Sequence, residues 1–569
     1  MASLGQICSN WAPSSTSSTD CKKSGKYGCK NCQLVAYCGQ SCQKAHWPLH
    51  KAACRSPLRK DTWQPAWIVE SRTPEFMGAG LGVVFGDKKY LWGNVPAFDL
   101  LRLDANEGSD YDGDLRILCA ASGDLRHIVK TIAQLPSSYN GAVEITLNDR
   151  DPDIVARNII LLLVAMVVED IDAASDCMVH LWYSALVRES DLNILHQQIR
   201  PLIIDVCTKI ADKSCATLHG KTWTFGQRSV RVILRKSSWS GLLSFLDMPA
   251  GLDTHQAQTR RTKVTLAESR KDYRDRYMCL IPSSHRVPFS RFREDGLLLP
   301  FGFPRHDFQV PNPTFFQNDK TWPMPDNADP RHGWPAEDVA STPSGAASAD
   351  IYGKLYFYLR KMLSSSLARL RGLKGASFEL FQVDATALPE LLGPGSFARI
   401  DVSNISDSGW LGIHRTLVYM IPLLQNKVDN PHATLITLFM NAVDETMTDE
   451  DRMRDMTQNS TSSRRLLQYL PPSGSLVSKY DSKVIKFNMG RDLVTEYDDV
   501  FNRYCDELEF RKAGELLGAV VKAKHTVIKK WPFRLKLRPG QTGAHEEFSR
   551  CLSAGVSSKE RYVEWSRTD

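Results

Sequence analysis

Residues 21–54 read CKKSGKYGCKNCQLVAYCGQSCQKAHWPLHKAAC, and this stretch decides how the N-terminal part of the chain folds. Its cysteines recur at short intervals, His50 stands among them, and Cys8 is separated from Cys21 by twelve residues. Zn²⁺ in structural sites takes four thiolate or imidazole ligands. The spacing therefore predicts two tetrahedral zinc sites. Their candidate ligands are Cys8, Cys21, Cys29, Cys32, Cys38, Cys42, His50 and Cys54.

The residues between the cysteines predict short helices that carry part of this ligand set. Ser41 can cap one helix, and Pro48 suits the first turn of a second one. His50 and Cys54 then lie four residues apart on one helical face, as two ligands of one metal ion should. His46 is the rival ligand, but it precedes the break expected at Pro48, so we favour His50. A disulfide framework is the alternative, and an intracellular chain disfavours it.

This cysteine pattern resembles the MYND zinc finger, over about 8–54. That family binds two zinc ions through interleaved ligands and mostly recruits short peptides, often with prolines. The resemblance implies one site of Cys8, Cys21, Cys38 and Cys42, and another of Cys29, Cys32, His50 and Cys54. It places the peptide contact at Gln43 and Trp47, one helical turn apart, although Trp47 can also be read as a packing residue of a tiny core. The chain departs from the family in its first cysteine pair, which two residues usually separate.

Composition limits the class of protein. The chain has 569 residues, of which 42% are hydrophobic and 24% charged, as is typical of a globular protein of several domains. The longest apolar run is too short to span a membrane, and the first residues do not resemble a signal peptide. We therefore expect an intracellular protein of the nucleus or the cytoplasm. Residues 1–60 carry a net charge of +8 against +7 for the whole chain, so the body gives little support for nucleic-acid binding.

Alternating strand and helix patterns predict an α/β body. Buried strands are predicted over 115–121, 143–147, 377–383, 397–402 and 434–440. We interpret them as one doubly wound, Rossmann-like sheet with a large insertion, and two separate α/β domains are the alternative. The predicted regions are a zinc finger over 1–60, the two halves of the Rossmann-like domain over 61–168 and 377–443, the insertion over 169–376 with a proline-rich segment over 282–343, and a C-terminal extension of helices and strands over 444–569.

The five-strand series resembles the core of class I methyltransferases, which use S-adenosylmethionine. The resemblance implies cofactor contacts at Gly123 after the first strand, Asp149 after the second and Asp384 after the third. The chain departs from the family at residues 120–124, where it has one glycine and the family has two or three. The side chains at this turn are expected to crowd the cofactor.

A second resemblance covers residues 92 to about 168. The segments WGNVPA (92–97), GDLRH (123–127) and NDR (148–150) are similar to an uncharacterised domain, domain of unknown function 4470. It occurs behind MYND fingers in fungal proteins and at the N-terminus of axonemal dynein assembly factors, and it implies a methyltransferase-like fold with no assigned activity. Asp124, Arg126 and His127 lie where a ligand would bind, yet they accompany no catalytic spacing. We interpret them as polar residues at the start of a helix.

Two further segments have an unusual composition. Residues 282–343 are rich in proline, which argues against regular helix or strand. They predict either an extended segment packed through Phe315, Phe316 and Trp322 or a mobile linker. Residues 516–545 hold seven basic residues and no acidic one, with Trp531 and Phe533 between them, a pattern that can bind a nucleic-acid backbone. The alternation over 534–538 favours instead a half-buried strand with one solvated face.

Together these features predict a zinc-binding interaction protein. A MYND-type finger recruits a protein partner through a proline-containing peptide, and a methyltransferase-like body without a clear activity serves as its scaffold. We expect two zinc ions, no membrane contact and no nucleic acid. The alternatives are an active methyltransferase that uses S-adenosylmethionine and a nucleic-acid-associated regulator.

Overall fold

A computed structural model describes residues 6–12, 20–79, 83–317, 320–457, 460–471 and 478–568. Its N-terminal module contains an antiparallel hairpin, β1 Tyr27–Gly28 and β2 Ala36–Tyr37, and a helix, α1 Gln40–Cys54. The prediction of two short helices separated at Pro48 is wrong, since α1 continues through this residue. Pro48 is exposed, so water can satisfy the carbonyl group that the proline leaves without a helical N–H.

The body is built around one large mixed sheet. The strands that follow β2 are β3 Leu115–Cys119, β4 Ala142–Asn148, β5 Leu186–Arg188, β6 Leu218–Phe225, β7 Arg228–Arg235, β8 Phe308–Pro311, β9 Gly375–Phe381, β10 Arg399–Asp401, β11 Thr434–Phe439, β12 Ala519–Val521 and β13 Arg561–Arg567. Over the described residues, nine of them form a sheet in the order β12-β13-β11-β10-β3-β4-β9-β7-β6. Strands β5 and β8 form a separate antiparallel pair.

The five strands predicted from the sequence lie side by side in this sheet. They follow the order β9, β4, β3, β10, β11, and all of these pairs are parallel. The sheet continues beyond β11 through β13, which is antiparallel to both of its neighbours. On the other side, β7 runs parallel to β9, and β6 forms an antiparallel hairpin with β7 at the edge of the sheet. The β6–β7 hairpin comes from the segment predicted as an insertion, and sequence analysis did not predict its strands.

Helices connect the strands and cover the sheet. Those that follow α1 are α2 Ala66–Val69, α3 Phe76–Ala79, α4 Arg126–Gln134, α5 Pro152–Val167, α6 Ile171–Tyr183, α7 Glu189–Ile194, α8 Arg200–Lys209, α9 Lys236–Leu242, α10 Thr254–Thr265, α11 Lys271–Leu280, α12 Ser283–Asp295, α13 Ala336–Ser341, α14 Ile351–Gly372, α15 Leu388–Leu391, α16 Ile413–Met420, α17 Ala442–Thr446, α18 Asp449–Met456, α19 Thr461–Tyr469, α20 Ser482–Gly490, α21 Asp498–Glu507, α22 Phe510–Leu516 and α23 Ala544–Ser553. Among the described residues, no helix is both long and apolar enough to cross a bilayer.

Both faces of the central sheet are buried. Ile117 of β3 packs into a core that includes apolar residues of α4, α5 and α14, whereas Leu118 packs into a second core with residues of α16 and α21. Successive strand residues point to opposite faces, so one strand contributes to both cores. Parallel strands covered on both faces have nearly continuous apolar sequences, as β3 and β11 do, whereas β4 and β9 alternate between buried and partly buried residues along part of their length.

The expectation of irregular structure over 282–343 is wrong in part. Residues 283–295 form α12 even though Pro288 lies inside it. Because proline has no N–H, the carbonyl group of Ser284, in the first turn of α12, lacks its helical hydrogen bond. Ser284 is partly exposed. Phe315, Phe316 and Trp322 are buried in the main core, as the packed alternative requires.

The prediction of a strand over 534–538 is also wrong. These residues belong to the described part of the chain, and their backbone is irregular. The backbone N–H groups of Lys536 and Leu537 donate to the carboxylate of Glu547 on α23, at 3.0 and 2.8 Å. A side chain thus satisfies donors that a neighbouring strand would otherwise have taken.

A buried ion pair at the start of α4 connects three distant parts of the chain. Arg126 Nε lies 2.6 Å from a carboxylate oxygen of Asp124, and both side chains are less than a tenth exposed. The same carboxylate accepts the backbone N–H of Gly93, and Arg126 donates to the carbonyl oxygens of Val95 and Gly333. The segments around 93–97 and 333 are therefore held on the turn that follows β3.

A glycine at position 93 makes this arrangement possible. A Cβ atom on Gly93 would lie 1.4 Å from Nη2 of Arg126. The guanidinium cannot move aside without leaving a buried carboxylate and buried carbonyl groups unpaired. His127 supports the same segment, since its Nδ1 accepts the backbone N–H of Phe98 at 3.2 Å. These polar residues thus hold the fold together rather than facing solvent.

The finger packs directly on the body. Trp11 Nε1 donates to the carbonyl oxygen of Gly302 at 2.9 Å, and the backbone N–H of Ala349 donates to the carbonyl oxygen of Gln33 at 3.1 Å. Val287 of α12 belongs to the same buried core as the cysteines of the finger. The body therefore completes the small core of the finger and fixes its position.

We predict that Gly93→Ala destabilises the protein, whereas Gly78→Ala does not. The new methyl group at 93 overlaps the pinned guanidinium, and overpacking combined with loss of a buried pair costs about 3 kcal/mol or more. Gly78 lies in α3 with open space around its Cβ position, so alanine there is neutral or slightly stabilising. Urea unfolding of both variants and the wild type measures the difference. Equal midpoints for all three proteins would contradict the role given to Arg126.

Candidate functional site

Among the described residues, two groups of side chains in the finger could each hold one metal ion. Within each group the ligand atoms lie within 4.8 Å of one another, and the first consists of Cys8, Cys21, Cys38 and Cys42. The second consists of Cys29, Cys32, His50 and Cys54, all of them buried. These are the two sets that the sequence predicted. The β1–β2 hairpin and the N-terminal segment supply one half of the ligands, and residues in or next to α1 supply the other half.

The second group has tetrahedral dimensions. The Sγ atoms of Cys29 and Cys54 lie 3.7 Å apart, and Cys32 Sγ lies 3.3 Å from His50 Nε2. Two sulfur ligands at about 2.3 Å from a tetrahedral zinc ion are about 3.8 Å apart, and a sulfur and a nitrogen are somewhat closer. Three thiolates and one imidazole are a common donor set for structural zinc. The group therefore fits a zinc ion.

The first group has similar dimensions and includes a cysteine from outside the compact part of the motif. Cys38 Sγ lies 3.7 Å from Cys21 Sγ and 3.4 Å from Cys42 Sγ. Cys8 joins them across the long segment that separates it from Cys21, of which residues 13–19 lie outside the described part of the chain. Lengthening a loop costs little free energy compared with the binding of a structural zinc ion.

Burial affects the protonation of the ligands in different ways before a metal ion binds. Burial lowers the pKa of His50 to about 4, so the imidazole is neutral at pH 7 and its lone pair is available. Burial raises the pKa of Cys32, whereas a backbone N–H from Lys23 lowers the pKa of Cys21. Because zinc binds thiolates, loading these sites releases protons and weakens as the pH falls.

Residues next to the ligands orient them, and sequence analysis did not identify these residues. Asn31 Nδ2 donates to Sγ of Cys54 at 3.1 Å and to its carbonyl oxygen at 2.9 Å, and Arg59 donates to the same carbonyl. The only signal was the position of Asn31 between two predicted ligands. His46, the rival ligand, belongs to neither group, and its Nδ1 lies 3.0 Å from the hydroxyl of Tyr37.

Gln43 and Trp47 line an open groove on the finger, together with Tyr27, Lys30 and Arg55. Trp47 is half-buried, and the guanidinium carbon of Arg55 lies 5.4 Å from the centre of its ring. Tyr27 is 64% exposed. The groove thus combines aromatic faces with two positive charges, and zinc ligands lie beneath it.

Two family models match parts of the chain. A model described as a MYND finger matches residues 18–54, and a model described as a domain of unknown function (DUF4470) matches residues 91–187. No curated protein and no solved structure gives a significant match. The N-terminal module is therefore a zinc-binding module of the kind that mediates protein–protein interaction. It is a MYND finger with two sites that fit two zinc ions, and an α/β region with a large mixed sheet follows it.

The residues predicted to hold S-adenosylmethionine lie at the carboxyl ends of β3, β4 and β9. Gly123 adopts a φ of +55° and donates its backbone N–H to Oδ2 of Asp149 at 3.0 Å. The other oxygen of Asp149 accepts the backbone N–H of Asp151 at 2.9 Å. Asp384 is exposed and accepts the backbone N–H of Thr386. Each oxygen of Asp149 thus accepts one backbone N–H, and these two hydrogen bonds hold the carboxylate against the turn that follows β3.

Two buried polar residues at the same edge were not singled out by sequence analysis. The amide of Asn148 donates to the carbonyl oxygens of Ala120 and Val383 and thereby connects the ends of three strands. Asp401, at the end of β10, lies opposite Cys119 in the pairing with β3. Burial raises the pKa of Asp401 to about 7. In the sequence, the only indication of a role for Asp401 was its position near the end of the strand predicted over 397–402.

Several side chains of the basic segment over 516–545 are engaged within the fold. Trp531 is buried and its Nε1 donates to Asp498 at 2.8 Å, so its ring is not available for stacking. Arg534 pairs with the same carboxylate and Lys536 pairs with Glu337. Basic side chains engaged with carboxylates contribute little to phosphate binding.

We predict that the purified protein holds two zinc ions per chain and that His50→Ala and Cys8→Ser each hold one. Each substitution removes one of four ligands from one group and leaves the other group intact. Cys215→Ser, at an exposed cysteine outside the finger, is the matched control and keeps both ions. Elemental analysis of dialysed protein measures the content. Two zinc ions retained in Cys8→Ser would remove Cys8 from the ligand set.

Proposed function

We propose that the protein recruits a peptide partner through its MYND finger and that the α/β body is a methyltransferase-like scaffold without activity of its own. The groove lined by Gln43 and Trp47 carries the proposal, because it is the place on the finger where aromatic faces are open to a ligand. The zinc ions, bound by the two ligand groups, stabilise the helix and the hairpin that form this groove.

The chemistry of the groove favours an extended peptide with prolines. Aromatic-lined grooves bind proline rings with little loss of entropy, since such segments are already extended. Tyr27 and Trp47 supply the aromatic faces, and the amide of Gln43 can bond with the peptide backbone. Lys30 and Arg55 also line the groove, so a partner with carboxylate groups beside its prolines is favoured.

The attachment of the finger to the body leaves this groove accessible. Trp11 and Gln33 make hydrogen bonds with the body, and Gly28 lies against Ala346. Tyr27, next to Gly28, stays largely exposed. A peptide in the groove would therefore lie at the edge of the seam between finger and body, and the body is in reach of the partner that carries the peptide.

We predict that Gln43→Ala weakens binding of a proline-containing peptide about tenfold or more, whereas Leu49→Ala leaves it unchanged. Gln43 lines the groove, and Leu49 lies on the same helix, half exposed, and does not line it. Loss of one hydrogen bond and of contact area at the centre of a small interface has this size. Fluorescence titration with labelled peptides measures it. Trp47→Ala serves as a second test if its zinc content stays at the wild-type value, and unchanged binding in both variants would place the peptide elsewhere.

The strand order supports a Rossmann-like, methyltransferase-like body. The series β9, β4, β3, β10, β11 corresponds to the 3-2-1-4-5 order of doubly wound dinucleotide-binding folds. In such sheets ligands bind beyond the carboxyl ends of the strands, where the order reverses. The reversal lies at β3, beside Gly123 and Asp149. The assignment of Gly123, Asp149 and Asp384 to a cofactor remains a prediction, and the single glycine of the turn after β3 favours the scaffold role.

We predict that S-adenosylmethionine at millimolar concentration gives no saturable heat and no shift in melting temperature. The turn after β3 holds one glycine, Gly123, and the side chains beside it are expected to crowd a cofactor. Asp149→Asn provides the matched variant, and it is expected to respond to the cofactor as the wild type does. Saturable binding that Asp149→Asn abolishes would overturn the scaffold role and favour the methyltransferase.

A further inference from the structure

A cavity of about 270 Å³ lies away from both the finger groove and the strand-end crevice. Residues of α11, α12, α20 and α23 form its walls, with contributions from the segment before α13 and the turn before β13. Tyr273, Tyr277 and Phe289 provide aromatic walls. Its volume is slightly below the usual range of ligand sites, about 300–1,000 Å³. The cavity therefore suits a small molecule rather than a dinucleotide.

The charge of the cavity is strongly positive. Among the described residues, its charged lining side chains are Arg270, Arg274, Arg276, Arg293, Asp326 and Asp492. Both carboxylates are already engaged. Asp326 pairs with Arg270 at 2.8 Å and accepts a backbone N–H from Phe85. Asp492 pairs with Lys559 at 3.3 Å and accepts the hydroxyl of Tyr497.

Arg293 has a free donor at this cavity. Its residue is 4% exposed, one of its terminal nitrogens donates to the carbonyl oxygen of Asp326, and its Nε has no hydrogen-bond partner among the described residues. No described carboxylate lies within ion-pair distance of it. A buried N–H without an acceptor is costly, and it is more costly in a charged group. Nε itself has almost no accessible surface, so the donor that a ligand in the cavity can reach is the other terminal nitrogen, Nη2, which makes no hydrogen bond with a described residue.

Arg274 faces the same space with one hydrogen bond, from Nη1 to the carbonyl oxygen of Ala267 at 2.6 Å. Burial lowers the pKa of this guanidinium, and Arg293 adds to the effect through its like charge. His332 also has an unpartnered Nε2 at the cavity, next to Gly555. Donors from separate elements thus converge on one small space, with no described carboxylate left to neutralise them.

We propose that this cavity binds a small phosphate-bearing molecule, whose oxyanion is held by Arg274 and Arg293. Guanidinium groups match the geometry of phosphate oxygens and form charge-assisted, paired hydrogen bonds with them. Arg293 contributes the N–H groups of Nη2 from the wall of the cavity, and the partly buried Arg274 contacts the ligand from α11. The aromatic walls hold the small organic part of the ligand.

The test uses the full-length, zinc-loaded protein and two probes, inorganic phosphate and methyl phosphate, at constant ionic strength set with sodium chloride. Calorimetry is expected to show one saturable site per chain, and the melting temperature is expected to rise with the probe. Arg274→Gln is expected to weaken binding about tenfold or more, because it removes one charged partner. Arg511→Gln, at an exposed arginine on α22, is the matched control and binds as the wild type does.

The outcomes show whether the anion binds in the cavity or on the basic finger. They also distinguish a phosphate ester from free inorganic phosphate. Tighter binding of methyl phosphate identifies a phosphate ester, and tighter binding of inorganic phosphate identifies the free ion. No saturable binding of either probe, or equal weakening in Arg274→Gln and Arg511→Gln, overturns the proposal. Arg293→Gln extends the test where it folds. If Arg293→Gln does not fold, the wild type is labelled with phenylglyoxal, which reacts with arginine, and the labelled residues are identified by mass spectrometry. We expect the phosphate probe to protect Arg274 from labelling. Unchanged labelling of Arg274 would contradict the site.

Discussion

The buried ion pair between Asp124 and Arg126 is the interaction on which the arrangement of the body depends. Two charges placed in a protein interior are tolerated only when their remaining hydrogen-bonding capacity is satisfied. Here the carboxylate also accepts the N–H of Gly93, and the guanidinium also donates to carbonyl groups of Val95 and Gly333. The pair is thus satisfied only when three segments come together, one of which lies more than 200 residues from the other two in sequence. The turn after β3 is thereby fixed. This turn lies at the carboxyl edge of the sheet, where ligands bind in open α/β sheets.

This ion pair also explains the sequence pattern of the uncharacterised domain. The segments WGNVPA and GDLRH, which carried the resemblance, supply Gly93 and Val95 on one side and Asp124 and Arg126 on the other. Their residue types follow from the packing. Only a glycine leaves room for the guanidinium at position 93, and only a group with several donors can pair with a carboxylate and two carbonyl oxygens at once. A motif that looks catalytic in the sequence is therefore a structural clamp.

The parts of the structure that could be predicted are those determined by local chemistry. Ligand spacing predicted both zinc groups, because four ligands must converge on one ion whatever surrounds them. An apolar run predicted β3, since burial on both faces leaves little polar alternation, whereas alternation over 143–147 predicted β4. The β6–β7 hairpin was missed because its outer strand lies at the edge of the sheet and reads LHGKTWTF, with polar and charged residues at exposed positions. The helices through Pro48 and Pro288 were missed because a proline is tolerated where the carbonyl it deprives remains near water.

The net charge of the chain also fails to show how its charged groups are placed in the fold. Outside the finger the chain is nearly neutral, and composition alone argues against an anion-binding surface. The fold nevertheless brings Arg270 and Arg274, one helical turn apart, against Arg293 from α12. Of the two acids at the cavity, Asp326 pairs with Arg270 and Asp492 pairs with Lys559, so neither is paired with Arg274 or Arg293. Electrostatic free energy depends on distance and burial rather than on totals. A nearly neutral body can thus contain a strongly cationic cavity, and the excess of basic residues in the finger, although larger in number, is spread over an exposed surface where solvent screens it.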